Sequence, residues 1–128
     1  ADQFKEIQDA VINQVLLNTL PNKQFRIASA WTVYGEENSY HSIHNHNTPD
    51  TQAVATVLYL DVPKQPTVNQ PGAFYYVYQD EHGVNQTGHI LPEKGTLIVM
   101  PVHLYHGAYP QAKGTRQTLN MDFEYYEI

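Results

Sequence analysis

The first twenty residues carry apolar side chains at spacings of three and four, which is the period of an amphipathic helix. Pro21 follows directly and ends this pattern. The apolar stripe consists of Phe4, Ile7, Val11, Ile12, Val15, Leu16 and Leu20. We therefore predict one N-terminal helix, in a unit of residues 1–22 that packs against the remainder of the chain.

From Phe25 onward the apolar positions alternate, and a period of two indicates β-strands. Turns rich in glycine, proline, asparagine and aspartate separate the alternating segments. We expect strands near residues 25–33, 40–46, 53–60, 73–78, 89–91, 96–100 and 115–126, with a short one around His106. Many short strands joined by such turns predict an all-β sandwich or barrel over residues 23–128, with the helix outside it.

The composition is that of one globular domain, with 128 residues of which 41% are hydrophobic and 16% charged. The sequence has no cysteine, which excludes disulfides, thiolate zinc sites and cysteine nucleophiles. A formal net charge of -6 argues against nucleic acid as the main partner. No apolar run approaches the roughly 20 residues of a membrane span. With no signal peptide visible, we expect a cytoplasmic protein without a membrane partner; a homodimer stays open.

His44-Asn45-His46 is the sharpest local feature among the seven histidines. Residues i and i+2 of a strand point to the same face, so these two imidazoles can approach one metal ion. His106 follows the apolar strand at residues 96–100 and is the candidate third ligand, because a barrel brings distant strands together at its mouth. Three ligands on one face leave room on an octahedral ion for a bidentate organic acid and dioxygen.

We expect the four other histidines and the tryptophan to lie outside the metal site. In a regular strand His41 and His103 point away from the faces of His44 and His106, because each precedes its neighbour by three residues. We interpret these two, together with His82 and His89, as structural or exposed residues. Trp31 is expected in the core.

Arg116 lies ten residues after His106 and shares a strand face with Thr118. A guanidinium beside a hydroxyl is suited to binding a carboxylate through charge-assisted hydrogen bonds. If His106 and Arg116 both face the barrel interior, a short diacid can chelate the metal and reach Arg116. Asp122 and Glu124 share the same face by parity, so an ion pair is the alternative use of Arg116.

The stretch from Ile27 to Tyr126 resembles the Fe(II)- and 2-oxoglutarate-dependent oxygenases, and most closely the small oxygenases of this kind in phage and bacterial genomes. The matching pieces are Ser29-Ala30-Trp31, His44-Asn45-His46, Leu58-Tyr59-Leu60, Gly95-Thr96-Leu97-Ile98-Val99-Met100-Pro101, His106 and Arg116-Gln117-Thr118. The resemblance implies a double-stranded β-helix, or jelly-roll, that binds Fe(II) and 2-oxoglutarate. It also implies hydroxylation of a C–H bond of an unknown prime substrate, with conversion of 2-oxoglutarate to succinate and carbon dioxide.

Carried over residue by residue, the resemblance makes His44 and His106 metal ligands. Arg116 and Thr118 then anchor the distal carboxylate of the co-substrate, and Tyr40 and Tyr59 are candidates to add a hydroxyl at either end.

Position 46 departs from the family pattern, which has aspartate or glutamate two residues after the first histidine. One interpretation is a three-histidine site of His44, His46 and His106. In another, Asp50 or a different carboxylate completes the site, and in a third the site is degenerate and carries out no oxygenase chemistry. We favour the first, because neutral imidazoles leave the full charge on the ion to attract a dianionic co-substrate.

Two other functions stay open. A cupin-like metalloenzyme with three histidines and no 2-oxoglutarate would share the barrel, and the segment from Gly95 to His106 resembles the second cupin motif. The first cupin motif is poorly met, because Gly35 is too far from His44. A non-catalytic jelly-roll that binds a ligand or another protein is the other alternative.

Overall fold

The computed structural model describes residues 2–46 and 52–128. The chain begins with helix α1 (Asp2–Val11), a π-helical turn (Ile12–Leu16) and the short helix α2 (Leu17–Thr19). The strands are β1 (Lys23–Gly35), β2 (His41–His44), β3 (Ala53–Asp61), β4 (Phe74–Gln79), β5 (Asn85–Ile90), β6 (Leu97–Pro101), β7 (His106–Ala108) and β8 (Arg116–Glu127). The helical start followed by short strands is confirmed.

The strands form two four-stranded sheets, in the orders β1-β8-β3-β6 and β2-β7-β4-β5. The pairings within both sheets are antiparallel. Strands that follow one another in sequence therefore mostly lie in opposite sheets, which is the arrangement of a double-stranded β-helix. The expected jelly-roll fold is confirmed.

The barrel interior is an apolar cluster contributed by both sheets. Alternate residues of β3 point into it, and they are met by side chains of β4, β6 and the segment after β6. The buried members are Ala53, Ala55, Val57, Tyr59, Phe74, Ile98, Met100 and Val102. Three members of this cluster, Val57, Tyr59 and Phe74, also line the cavity described below.

The N-terminal helical segment packs on the outer face of the first sheet. Leu16 of the π-helical turn is fully buried, as are Met121 and Phe123 of β8. Because these two odd-numbered residues of β8 face the helix, the even-numbered residues of the strand point to the opposite side. That side is the barrel interior, and Arg116 and Thr118 lie on it. Within the described residues, no helix has the length and apolar character needed to cross a bilayer.

Candidate metal centre

Three histidines converge where β2 and β7 meet. His44 ends β2 and is paired directly with His106, the first residue of β7. His46 follows β2, and its backbone N–H donates to the carbonyl of Val102 at 2.9 Å. One ligand nitrogen from each ring lies within 4.8 Å of the others. The expected convergence of His44, His46 and His106 is therefore present in the structure.

The hydrogen bonds of these rings select the tautomer that a metal ion requires. Nδ1 of His44 lies 2.8 Å from the carbonyl oxygen of Ser42, and Nδ1 of His106 lies 2.9 Å from that of Leu104. A carbonyl oxygen only accepts hydrogen bonds, so each Nδ1 carries the proton. Each Nε2 then keeps the lone pair with which neutral imidazole binds a metal.

His46 is oriented by a carboxylate instead of a carbonyl. Both carboxylate oxygens of Asp122 lie 3.0 Å from its Nδ1, and both side chains are largely buried. A carboxylate behind a histidine fixes the ring and raises its basicity, as is common for ligands of metal ions. Glu124 pairs with Arg26. The structure thus uses Asp122 and Glu124 elsewhere, and not as ion-pair partners of Arg116.

His106 lies deepest of the three, with only 4% of its surface exposed. Burial lowers the pKa of His106, and the neighbouring imidazoles lower it further. The ring is therefore held in the neutral form that binds a metal. Asp50, the alternative carboxylate ligand, lies outside the described residues. Within residues 2–46 and 52–128, the three histidines are the group of side chains close enough to hold an ion.

Arg116 is a buried cation, 7% exposed, at the start of β8. Its Nη1 donates to the carbonyl of Gly72 at 2.8 Å. Glycines flank the guanidinium, since a Cβ built on Gly72 would lie 3.5 Å from Nη1 and one on Gly35 would lie 3.9 Å from Nη2. Burial lowers the pKa of Arg116, but arginine stays charged at any physiological pH. No described carboxylate pairs with it, so the site favours an anion.

The three other expected contact residues differ in their surroundings. Tyr59 is 3% exposed, and burial raises the pKa of its hydroxyl to about 12. Thr118 is buried, and its hydroxyl donates to Oδ1 of Asn120 at 2.8 Å. Tyr40 is 65% exposed, at the mouth of the site.

All these groups line one cavity of about 440 Å³. It contains the three histidines, Arg116, Thr118, Tyr59 and Tyr40, and it is also lined by Trp31, His41 and Asn120. The expectation that Trp31 lies in the core is wrong. Trp31 is 39% exposed, and its ring centroid lies 5.9 Å from that of His46. Asp122 was missed as a partner of His46, although its parity on β8 places it on the inner face.

The expectation that His41 points away from His44 is wrong. The two ring centroids lie 6.3 Å apart, and both residues line the cavity. The pairing of β2 with β7 is irregular between them, which breaks the alternation that the expectation assumed. His82 and His103 are exposed as expected, and His89 hydrogen-bonds the hydroxyl of Tyr109 at 2.8 Å.

Solved structures share this architecture at low sequence identity. An oxidoreductase of the 2OG-Fe(II) oxygenase family from Burkholderia pseudomallei matches with a TM-score of 0.71 and 15% identity, over 93% of this chain and 57% of that one. Iron-bound HygX from Streptomyces hygroscopicus matches with a TM-score of 0.71 and 14% identity, over 97% of this chain and 68% of HygX. A prolyl-4-hydroxylase from Pseudomonas putida matches with a TM-score of 0.62 and 21% identity, over 90% of this chain and 62% of the hydroxylase.

No family model matches the sequence, and no curated protein does. The chain spans only 57% of the Burkholderia protein and about two thirds of HygX. Nothing in these comparisons supports the closer resemblance to phage proteins. What they establish is the fold: this chain has the jelly-roll fold of the 2OG-Fe(II) oxygenase structures that it matches.

Proposed function

We propose that the protein is a non-haem Fe(II)- and 2-oxoglutarate-dependent oxygenase that hydroxylates a C–H bond of a prime substrate. The observation that carries this proposal is the content of one cavity. Three imidazoles with free Nε2 lone pairs line a cavity of about 440 Å³. The same cavity is lined by a buried guanidinium that pairs with no carboxylate of the described residues. The residue types fit a ferrous ion and a dicarboxylate.

His44, His46 and His106 are the proposed ligands of the iron. A facial set of three neutral ligands leaves the charge of the ion uncompensated, so an anionic co-substrate is attracted to it. Bound iron would supply the oxidation in which 2-oxoglutarate, dioxygen and the substrate C–H bond give succinate, carbon dioxide and the C–OH product. Asp122 holds the ring of His46 in place for the ion.

Arg116 is the proposed anchor of the distal carboxylate. The guanidinium keeps N–H groups beyond the one that Gly72 accepts. Val57 and Phe74 also line the cavity, and their apolar surroundings strengthen a charge-assisted hydrogen bond. Tyr59 stays protonated far above neutral pH and can donate its hydroxyl to the same carboxylate.

Thr118 and Tyr40 are proposed as further contacts of the co-substrate. The hydroxyl proton of Thr118 is engaged by Asn120, so Thr118 donates to a carboxylate only if this hydroxyl rotates. Tyr40 reaches the site from the exposed mouth.

The solved structures of HygX support a small-molecule co-substrate in this fold. HygX has been observed with nickel and 2-oxoglutarate, and with hygromycin B in addition. For the present chain we propose 2-oxoglutarate and one organic prime substrate as partners. All the lining residues named here belong to residues 23–128, which we propose as the catalytic unit.

The charge of Arg116, with which no carboxylate in the described part of the chain pairs, favours this function over a cupin-like enzyme without 2-oxoglutarate. Such an enzyme needs the three histidines but has no use for a buried guanidinium. A non-catalytic binding module needs neither. Arg116 is thus the residue on which an experiment separates the alternatives.

The test measures thermal stability with Mn(II), an inert substitute for Fe(II), in the presence and absence of 2-oxoglutarate. A ligand that binds only the folded protein raises its melting temperature. We expect the increase in the wild type and its loss in Arg116→Ala. Arg26→Ala is the matched control, because Arg26 lies at the surface and pairs with Glu124. Absence of any increase in the wild type at millimolar 2-oxoglutarate would contradict the proposal.

A further inference from the structure

We propose that His41 is a fourth histidine of the site, which positions the co-substrate through a hydrogen bond and does not bind the metal. The inference rests on the proposed function and adds a residue to it. Regular alternation along β2 would point the His41 side chain away from the cavity. The irregular pairing of β2 with β7 turns it toward the cavity.

The irregular pairing of β2 turns His41 toward the cavity. His44 lies opposite His106 and His41 lies opposite Ala108, so three steps along β2 match two steps along β7. One additional residue in a strand reverses the facing of the side chains beyond it. His41 therefore shares the inner face with His44, and bulges of this kind often re-aim a side chain beside an active site.

The backbone at His41 is held close to β7 by the absence of a side chain at Gly107. A Cβ on Gly107 would lie 2.7 Å from the carbonyl oxygen of His41 and would collide with the hydroxyl of Tyr75. The Tyr75 hydroxyl instead donates to this carbonyl at 3.5 Å. The position of His41 is thus fixed by its neighbours on β4 and β7.

The imidazole of His41 lies beside the metal site without belonging to it. Its centroid is 6.3 Å from that of His44, and His41 is absent from the group of ligand atoms that meet within 4.8 Å. His41, His44 and Arg116 line the same cavity. A ligand that extends from the ion to the guanidinium would therefore share this cavity with the His41 ring.

The described residues leave the hydrogen-bonding groups of this ring unused. Among residues 2–46 and 52–128, no side chain or backbone group forms a hydrogen bond with the His41 ring nitrogens. A neutral imidazole offers one donor and one acceptor. Since the ring is next to His44, its N–H is placed to donate to the carboxylate at the metal end of 2-oxoglutarate, which Arg116 at the other end cannot serve.

The experiment separates metal binding from co-substrate binding. Trp31 is the only tryptophan, and it lies against His46, so its fluorescence reports Ni(II) at the site through quenching. Affinity for 2-oxoglutarate is then measured on the Ni(II)-loaded protein by calorimetry. The variants are His41→Ala and His41→Gln, and His82→Ala removes an exposed histidine from a turn as the matched control.

We expect His41→Ala to keep its Ni(II) affinity and its melting temperature without ligand, and to bind 2-oxoglutarate about tenfold more weakly. His41→Gln restores part of this affinity through its amide N–H, and His82→Ala behaves as the wild type. Loss of Ni(II) affinity in His41→Ala would make His41 a metal ligand and overturn the proposal.

Unchanged 2-oxoglutarate affinity in His41→Ala would also overturn it and would leave the proposed function intact. If the wild type itself binds no 2-oxoglutarate, the proposed function fails and this inference fails with it.

Discussion

His46 stands where the oxygenase pattern has a carboxylate, and its ring contacts a carboxylate from another strand. Asp122 of β8 places both oxygens 3.0 Å from Nδ1 of His46. In the proposed metal site, the negative charge would lie one side chain away from the ion, and an imidazole would take the ligand position. The two residues together form the carboxylate–histidine arrangement that orients and strengthens a metal ligand.

Replacing Asp122 by asparagine tests this arrangement, because it removes the charge and keeps the size. We expect Asp122→Asn to bind Ni(II) about 10- to 100-fold more weakly, measured by quenching of Trp31 fluorescence. Glu124→Gln on the same strand is the control, since Glu124 pairs with Arg26 at the surface. Equal Ni(II) affinities of Asp122→Asn and the wild type would show that Asp122 does not support the ligand.

Tyr59 links the cavity to the pH dependence of stability. Its pKa is about 12 in the folded protein and about 10 when unfolded, so only the unfolded state ionises between these values. The stabilising contribution is complete below pH 10 and is lost as the pH rises through 12.

Between about pH 9 and about pH 11.5, the free energy of unfolding should fall by about 2 kcal/mol more in the wild type than in Tyr59→Phe. Urea denaturation of both proteins at the two pH values measures this difference. Parallel pH dependences would mean that Tyr59 ionises as readily in the folded protein as in the unfolded one.

Parity along a strand predicted part of the site from single residues. Alternation predicts that Arg116 and Thr118 share one face of β8. The structure shows that this is the inner face, because both residues line the cavity and the odd-numbered Leu119, Met121 and Phe123 face the helix. The same parity includes Asp122, but its partner lies 76 residues away, and nothing in the sequence shows which strand faces β8 at that point. Tertiary pairing, and not local pattern, decided the use of this carboxylate.

At the scale of elements, the failure at His41 has a geometric cause. A strand's alternation is readable from its own sequence, but an extra residue is visible only against the partner strand. β2 has only four residues, and its register against β7 shifts between the first and the last of them. This one-residue shift decides which histidines face the cavity. The longer strands β3 and β8 have more alternating positions, and they followed the prediction closely.

Gly107 is expected to control the approach of β2 to β7. An alanine there would meet the carbonyl of His41, which is backbone and moves only with the strand. We expect Gly107→Ala to lower the free energy of unfolding by about 1–3 kcal/mol and to weaken Ni(II) binding, because His44 shifts with β2. Chemical denaturation and Trp31 quenching measure the two effects.

The double variant Gly107→Ala/Tyr75→Ala separates the two contacts. Removing the Tyr75 ring relieves the collisions with its hydroxyl and its Cζ atom, and it leaves the collision with the His41 carbonyl. Full recovery of metal affinity in the double variant would show that the tyrosine, and not the approach of the two strands, requires glycine.

At the scale of the whole molecule, one face of β8 packs in the hydrophobic core and the other lines the candidate site. Its odd-numbered residues Leu119, Met121 and Phe123 form a core with the helix, and Arg116 and Thr118 line the cavity on the other side. Alternation and turns predicted strands and an outer helix, but several sandwich and barrel topologies satisfy such a pattern. Only the family resemblance implied the jelly-roll among them, and the strand order of the two sheets became known from the structure, because it depends on contacts between distant segments.

The proposed function requires a metal ion and a dicarboxylate in one cavity, and its most direct test needs no prime substrate. Protein loaded with Fe(II) is exposed to dioxygen and 2-oxoglutarate, and succinate is quantified by NMR. We expect succinate from the wild type and from Arg26→Ala, and background levels from His106→Ala and Arg116→Ala. Absence of succinate from wild-type protein that carries stoichiometric iron and is folded would contradict the proposed function.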